Sequence, residues 1–156
     1  MILLRPMSGE EYPAYLAYFI PDYAAEIAVN YGLSSADALA RAKREIAEDL
    51  PAGVNSPGQV LLSLFIQSGS DEKPVGYLWY KPDFKSHTAF IYDFHIFASC
   101  QGKGLGKLAL AALENELREK NIAQVRLRVA GDNSRARHVY ETTGFRVTGV
   151  NMSKNL

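Results

Sequence analysis

One stretch narrows the fold of this chain more than any other: Phe90-Ile-Tyr-Asp-Phe-His-Ile-Phe-Ala-Ser-Cys-Gln-Gly-Lys-Gly-Leu-Gly-Lys107. Its first half, up to Ala98, is apolar and aromatic and reads as a strand. Gly102, Gly104 and Gly106 then make a turn, and a helical pattern opens at Gly104. Strand, glycine turn and helix start, in that order, are anion-binding architecture. Glycines without a Cβ let backbone amides approach one point, and the first turn of a helix leaves its N–H groups unpaired. With a partial positive charge of about half a unit at the helix end, phosphate is the expected occupant.

Two common phosphate loops do not fit. A Walker loop would need glycine where Gln101 stands and a hydroxyl residue where Leu108 stands, so no side chain is present to hold a nucleotide-bound magnesium. A dinucleotide fold would place an acidic ribose ligand about 20 residues on. Residues 121–130 offer only Asn121, Gln124 and two arginines.

Around this stretch the chain reads as a mixed α/β fold. Ile2-Leu-Leu-Arg5 is a first strand stopped by Pro6. Ser8 and Glu11 have capping-box spacing ahead of a helix whose Tyr12, Tyr15, Tyr18 and Phe19 form one stripe, either core packing or the wall of a pocket. A second helix starts at Ser34–Asp37 and stops by Pro51. Gln59–Gln67, Pro74–Tyr80 and the strand entered at Thr88 follow with short connections, which implies an antiparallel meander. Leu105, Leu108, Ala109, Ala112, Leu113 and Leu117 have a helical period. Val125, Leu127 and Val129 alternate with Arg126 and Arg128, a strand reached by a helical crossover and hence parallel to its predecessor. Asp132 or Asn133 caps a last helix ended by Gly144, and Phe145–Val150 has the alternation of a final strand.

At 156 residues the chain suits one domain spanning 1–156. Its single cysteine, Cys100, rules out an internal disulfide framework, and no apolar run has membrane-spanning length, so a cytoplasmic setting is expected. Zero net charge hides an asymmetry. Residues 1–100 carry 7 Lys/Arg against 12 Asp/Glu, net −5, and residues 101–156 carry 10 against 5, net +5. A basic C-terminal half suits a polyanion and an acidic N-terminal half a cation. The basic residues form no dense run with interleaved aromatics, so nucleic acid is not an expected partner. No metal-ligand spacing occurs.

Gln101-x-x-Gly104-x-Gly106 resembles the phosphate-binding signature of the GNAT family of N-acetyltransferases. Asn133-Ser-Arg-Ala136-Arg-His-Val-Tyr140-Glu-Thr-Thr-Gly144-Phe145 resembles a second signature of the same family. The two lie in the family's order, with a helix and a strand between them. The resemblance implies a GNAT fold with parallel fourth and fifth strands splayed around acetyl-CoA and about four helices. It also implies that Gln101, Gly102, Lys103, Gly104, Leu105, Gly106 and Lys107 hold the cofactor's pyrophosphate. Phe94, His95 and Ile96 would border the thioester, with the Ile96 amide facing its carbonyl oxygen, and Asn133, Ala136 and Tyr140 would line the pantetheine channel. Dimers are common in the family, so a homodimer is compatible with this reading.

The implied reaction moves an acetyl group to a primary amine of a small molecule or peptide, without a metal. An ammonium of pKa about 10.4 must lose a proton before it attacks, and a thiolate of pKa about 8.5 must gain one as it leaves. Tyr140 is the expected acid. Asp93 and then His95 are the candidate bases, the family's usual carboxylate on this strand being replaced by Tyr92 and His95. Strict alternation places Asp93 and His95 on one face and Tyr92, Phe94 and Ile96 on the other, unless a bulge intervenes. His87 and His138 have weaker claims, and Cys100 lacks a His and carboxylate pairing for covalent chemistry. The alternative to an enzyme is a non-catalytic CoA-binding module, a sensor or interaction partner.

Overall fold

The computed structural model describes residues 1–156. Strand β1 (Ile2–Pro6) leads through a turn in which Ser8 and Glu11 exchange reciprocal bonds: the Ser8 amide donates to Glu11 Oε1 at 3.0 Å and the Glu11 amide to Ser8 Oγ at 3.2 Å. The predicted capping box forms, although the α-helical ladder of α1 (Tyr12–Tyr31) starts only after it. Helix α2 (Ser35–Asp49) is capped by Ser34 Oγ, which accepts from the Asp37 amide. Strands β2 (Val60–Ser68), β3 (Asp71–Asp83) and β4 (Thr88–Ile96) follow, then α3 (Leu105–Glu119), β5 (Gln124–Leu127) and α4 (Ser134–Thr142). No helix is long and apolar enough to cross a membrane.

The five strands form one sheet in the order β1-β2-β3-β4-β5, antiparallel throughout except for the parallel pair β4/β5. The sheet divides the apolar residues by face. Leu62, Leu64, Leu78, Tyr80, Ala89 and Ile91 pack against Ala109, Leu110, Leu113 and Leu117 of α3. On the opposite face Leu61 and Trp79 pack with Tyr15 and Phe19 of α1 and Ile46 of α2. Fully burying each such leucine contributes about 1.5–3 kcal/mol, so both helix layers are firmly held to the sheet.

Strand β4 departs from strict alternation. Trp79 pairs with Asp93 but Tyr80 pairs with Ile91, so Tyr92 is an extra residue, a β-bulge. Tyr92 stacks on Trp79 at 4.7 Å and therefore lies on the α1/α2 face. Asp93 and His95 lie on that face too, while Ile91, Phe94 and Ile96 join the α3 side. Alternation alone put Tyr92 with Phe94 and Ile96; the bulge corrects that.

The bulge also marks where the parallel pair ends. Its register runs from Thr88↔Gln124 to Ile91↔Leu127 and stops one residue before Tyr92, where a bulged strand bends away from its neighbour. This is why β5 ends at Leu127 rather than at Val129. The expected strand over residues 145–150 is absent: the segment is irregular and exposed beyond Phe145. Alternation confers β-propensity, but a strand needs a partner row of N–H and C=O groups, and β5 pairs only with β4.

Candidate active site

The glycine turn leaves β4 through a short helical turn at Ala98–Cys100 and enters α3 at Gly104. Gly102 and Gly104 have φ of 77° and 76°, in the left-handed region that side chains with a Cβ resist. The first backbone bond of α3 is the Leu108 amide to the Gly104 carbonyl, at 3.3 Å. The six successive amides from Gly102 to Lys107 donate to no group of the protein. Unpaired amides around left-handed residues at a helix start form an anion nest. Lys103 and Lys107 are exposed beside it, and Arg135 of α4 comes within 4.0 Å of the position a Gly102 Cβ would take. The loop thus fits a polyanion.

Gln101 has another task in this structure. Its Nε2 donates to the Ile96 carbonyl at 2.8 Å, tying the loop to the end of β4. On the other side of that strand the Phe97 amide donates to the Val75 carbonyl at 2.8 Å. Hydrogen-bonded and non-bonded pairs alternate along an antiparallel ladder, so Ile96 and Phe94, opposite Gly76 and Leu78, turn their N–H and C=O groups away from β3. They face the side on which β5 has already ended, so these backbone groups border the splay. Gly76 permits the close approach of β3 here: a Cβ on it would lie 2.1 Å from the His95 carbonyl oxygen.

On the α1/α2 face, Asp93 accepts two phenol hydrogen bonds, from Tyr15 at 2.9 Å on Oδ2 and from Tyr18 at 3.1 Å on Oδ1. Burial pushes the carboxyl up to about 7, against the pull of both phenols and of the Phe94 amide, with the Asp22 charge adding to the rise. His95 stacks on the Tyr18 ring at 3.9 Å, and burial lowers its pKa, so it is neutral at pH 7. Tyr77 packs edge-on to Tyr15 at 5.0 Å. The stripe on α1 therefore both packs and forms the wall around Asp93. The sequence offers Tyr15 and Tyr18 as a pocket wall but does not pair them with Asp93, and it does not single out Asp22.

Across the splay, Tyr140 of α4 packs near Phe94, 6.4 Å between ring centres, and edge-on to Phe145 at 5.5 Å. Burial and then the Asp93 charge push its phenol up to about 12. Tyr140 in turn raises the pKa of Tyr18, behind larger effects of burial and of Asp93 and Asp22. Two tyrosines on opposite faces of the sheet and one carboxylate thus share an electrostatic environment. Asn133 caps α4, its Oδ1 accepting from the Ala136 amide at 3.1 Å, which leaves its Nδ2 for other partners; Ala136 is half-buried.

His87 lies elsewhere, its Nδ1 3.0 Å from the Asn121 carbonyl oxygen, and His138 is exposed on α4. Cys100 is buried. No three His, Cys, Asp or Glu side chains gather as a metal site.

The geometry is that of a polyanion loop and a titratable cluster meeting where the parallel strands part, and the sequence profile of the Acetyltransferase (GNAT) family matches residues 37–145. The chain belongs to the GNAT family. It is 38% identical to YycN of Bacillus subtilis strain 168, an uncharacterised N-acetyltransferase, over 99% of each chain. The crystal structure of YycN superposes with a TM-score of 0.91, covering 100% of this chain and 99% of that one. A PaiA N-acetyltransferase from Thermoplasma acidophilum, crystallised with coenzyme A, shares the fold at 20% identity, TM-score 0.69, over 97% and 93% of the two chains. A mycothiol acetyltransferase of Tsukamurella paurometabola is 32% identical over 105 residues, which are 65% of this chain and 36% of that protein.

Proposed function

We propose that this GNAT chain, as one domain, is an acetyl-CoA-dependent N-acetyltransferase that moves the acetyl group to a primary amine by direct attack in a ternary complex. The observation that carries the reading is the row of six unpaired amides at the start of α3, beside the stretch of β4 that β5 no longer pairs and across from Tyr140. Gly102 to Lys107 hold the pyrophosphate, with the Lys103 and Lys107 side chains adding positive charge. Gln101 contributes by fixing the loop to Ile96. Ala136 and the Asn133 Nδ2 border the pantetheine arm, and Phe94, His95 and Ile96 border the thioester.

Each proton has a named holder. Asp93, about half ionised at pH 7, takes the ammonium proton of the acceptor in its ionised form, directly or through water, and frees the nitrogen lone pair for attack. His95, made less basic by burial and with a ring face covered by Tyr18, ranks second. The Ile96 amide faces the carbonyl oxygen as charge gathers there. As the carbon–sulfur bond breaks, the Tyr140 phenol, protonated at pH 7, gives its proton to the thiolate, and the phenolate left behind takes the second proton that the nitrogen sheds as the amide forms, while the proton held by Asp93 passes to solvent. The two faces of the sheet thus take different substrates, the α3 side the CoA arm and the α1/α2 side the amine.

Thiol release from acetyl-CoA against a panel of amines tests this. The wild-type protein is expected to acetylate at least one amine, and Tyr140→Phe to keep CoA affinity while losing about 10²–10⁴ in kcat. Tight CoA binding with no turnover on any amine would return the chain to a non-catalytic CoA-binding module.

A further inference from the structure

Three carboxylates in this protein accept a hydrogen bond from a tyrosine, and comparing them singles one out. Tyr80 donates to Glu116 at 2.7 Å, and Lys120 completes that group, its Nζ 2.9 Å from the phenol oxygen and 3.7 Å from the carboxylate. Tyr23 donates to Glu45 at 2.6 Å, where Arg41 reaches the same carboxylate at 3.4 Å. Each is a structural tie whose negative charge is balanced by a cation. Asp93 has two phenols and no ion pair.

A tie between α1 and the sheet has no need of an uncompensated carboxylate; a neutral amide would serve. Burying an anion without a cation is unfavourable, and here the only direct side-chain compensation is two hydroxyl donors. Those donors are held in place before any substrate arrives. Tyr15 is 0% exposed, wedged between Phe19 at 5.6 Å and Tyr77 at 5.0 Å. The Tyr18 ring is held between His95 at 3.9 Å and Tyr77 at 5.9 Å. Each phenol engages a different carboxylate oxygen, so the carboxyl plane cannot rotate without breaking a bond.

We propose that Tyr15 and Tyr18 are positioning residues that act through Asp93, fixing the orientation of its carboxylate and stabilising its anion without a cation. The inference rests on Asp93 being the base only for its catalytic consequence; the hold on the carboxylate is a property of the free protein. A nearby lysine or arginine would repel the ammonium that Asp93 is to deprotonate, whereas phenols stabilise the anion and leave the cleft attractive to a cation. The groups facing Asp93 are Tyr15, Tyr18 and Asp22 from α1, His95 from its own strand and Tyr140 from α4, with Tyr77 of β3 backing the two phenols. Asp22 opposes ionisation and the two phenols favour it. Both phenols are themselves raised by burial and by Asp93, so they remain donors across the working pH range.

The test uses the full-length protein with Tyr15→Phe and Tyr18→Phe, each of which deletes one oxygen and keeps the ring. The Asp93 carboxyl is titrated by carbon-13 NMR, which needs no turnover, and the pH profile of kcat/KM is measured in parallel. Each variant is expected to move the Asp93 midpoint up by about one unit, because a hydrogen bond to a charged group is worth about that much. The acid limb of kcat/KM should move with it, giving about a tenfold loss below the midpoint and little change at high pH. Midpoints unchanged in both folded variants would overturn the proposal. An absence of acetyl transfer in the wild type would sink the enzymatic reading, and the NMR titration would still decide whether the phenols hold the carboxylate.

Discussion

Replacing Asp93 with asparagine should make this protein more stable as the pH rises and much less active, and the size of the first effect follows from its surroundings. The carboxyl titrates near 7 in the folded protein against an ordinary 3.8, chiefly because burial disfavours the anion. Between about pH 4 and pH 7 the folded state therefore keeps a proton that the unfolded chain has released. Stability conferred by that proton is present at low pH and is lost as the pH rises through 7. At 1.36 kcal/mol per unit, a shift of roughly three units sets a ceiling of about 4 kcal/mol on the loss. Water at the partly accessible edge of Asp93 reduces it, so about 2 kcal/mol is expected. An asparagine side chain does not titrate, so the variant lacks this slope. Urea unfolding of both proteins at pH 4 and pH 8 measures the difference of differences, in which the fixed effects of the amide cancel. Asp93→Asn should gain about 2 kcal/mol on wild type between those pH values, roughly 4–8 °C in Tm for a chain of this size, while acetyl transfer falls by at least about 10². Stability curves that stay parallel from pH 4 to pH 8 would refute the reasoning.

Gly76→Ala should cost about 3 kcal/mol or more in denaturant unfolding, because its Cβ would sit 2.1 Å from a backbone oxygen of β4 and the strands must part to admit it. Gly104→Val should leave the sheet folded but weaken CoA binding at least about tenfold by calorimetry, since a β-branched residue resists the φ of 76° at the start of α3. Tyr140→Phe should lose turnover with unchanged CoA affinity in the same calorimeter, whereas a phenol needed only for packing would leave turnover intact.

The capping box, the glycine turn, the helix periods and the parallel crossover were legible because each depends on residues close in sequence. Ser8 and Glu11 bond across three positions, and Gly104 needs only its own φ to be recognised as special. What could not be read depended on distant pairing. Nothing within α1 shows that Tyr15 and Tyr18 will meet an aspartate 78 and 75 residues away. The stripe signalled only that these side chains share a helix face. The bulge at Tyr92 was equally hidden, being a mismatch between two strands rather than a feature of either. Residues 145–150 failed in the opposite direction: their local pattern was correct for a strand, but β5 offers them no pairing. The Gln101 bond to Ile96 lay between these cases, its partner only five residues away but its direction set by the turn.

A single surplus residue in β4 decides which helix layer receives Asp93. Along a regular ribbon every second side chain points the same way, so Ile91 and Asp93 would look into the same layer, among the leucines of α3. Tyr92 adds one to the count and reverses the parity of everything after it. Odd-numbered positions thus face α3 before the bulge and α1 and α2 beyond it. Were the ladder to slip by one residue and iron out the kink, the carboxylate and Phe94 would trade helix layers, with no change of sequence at all.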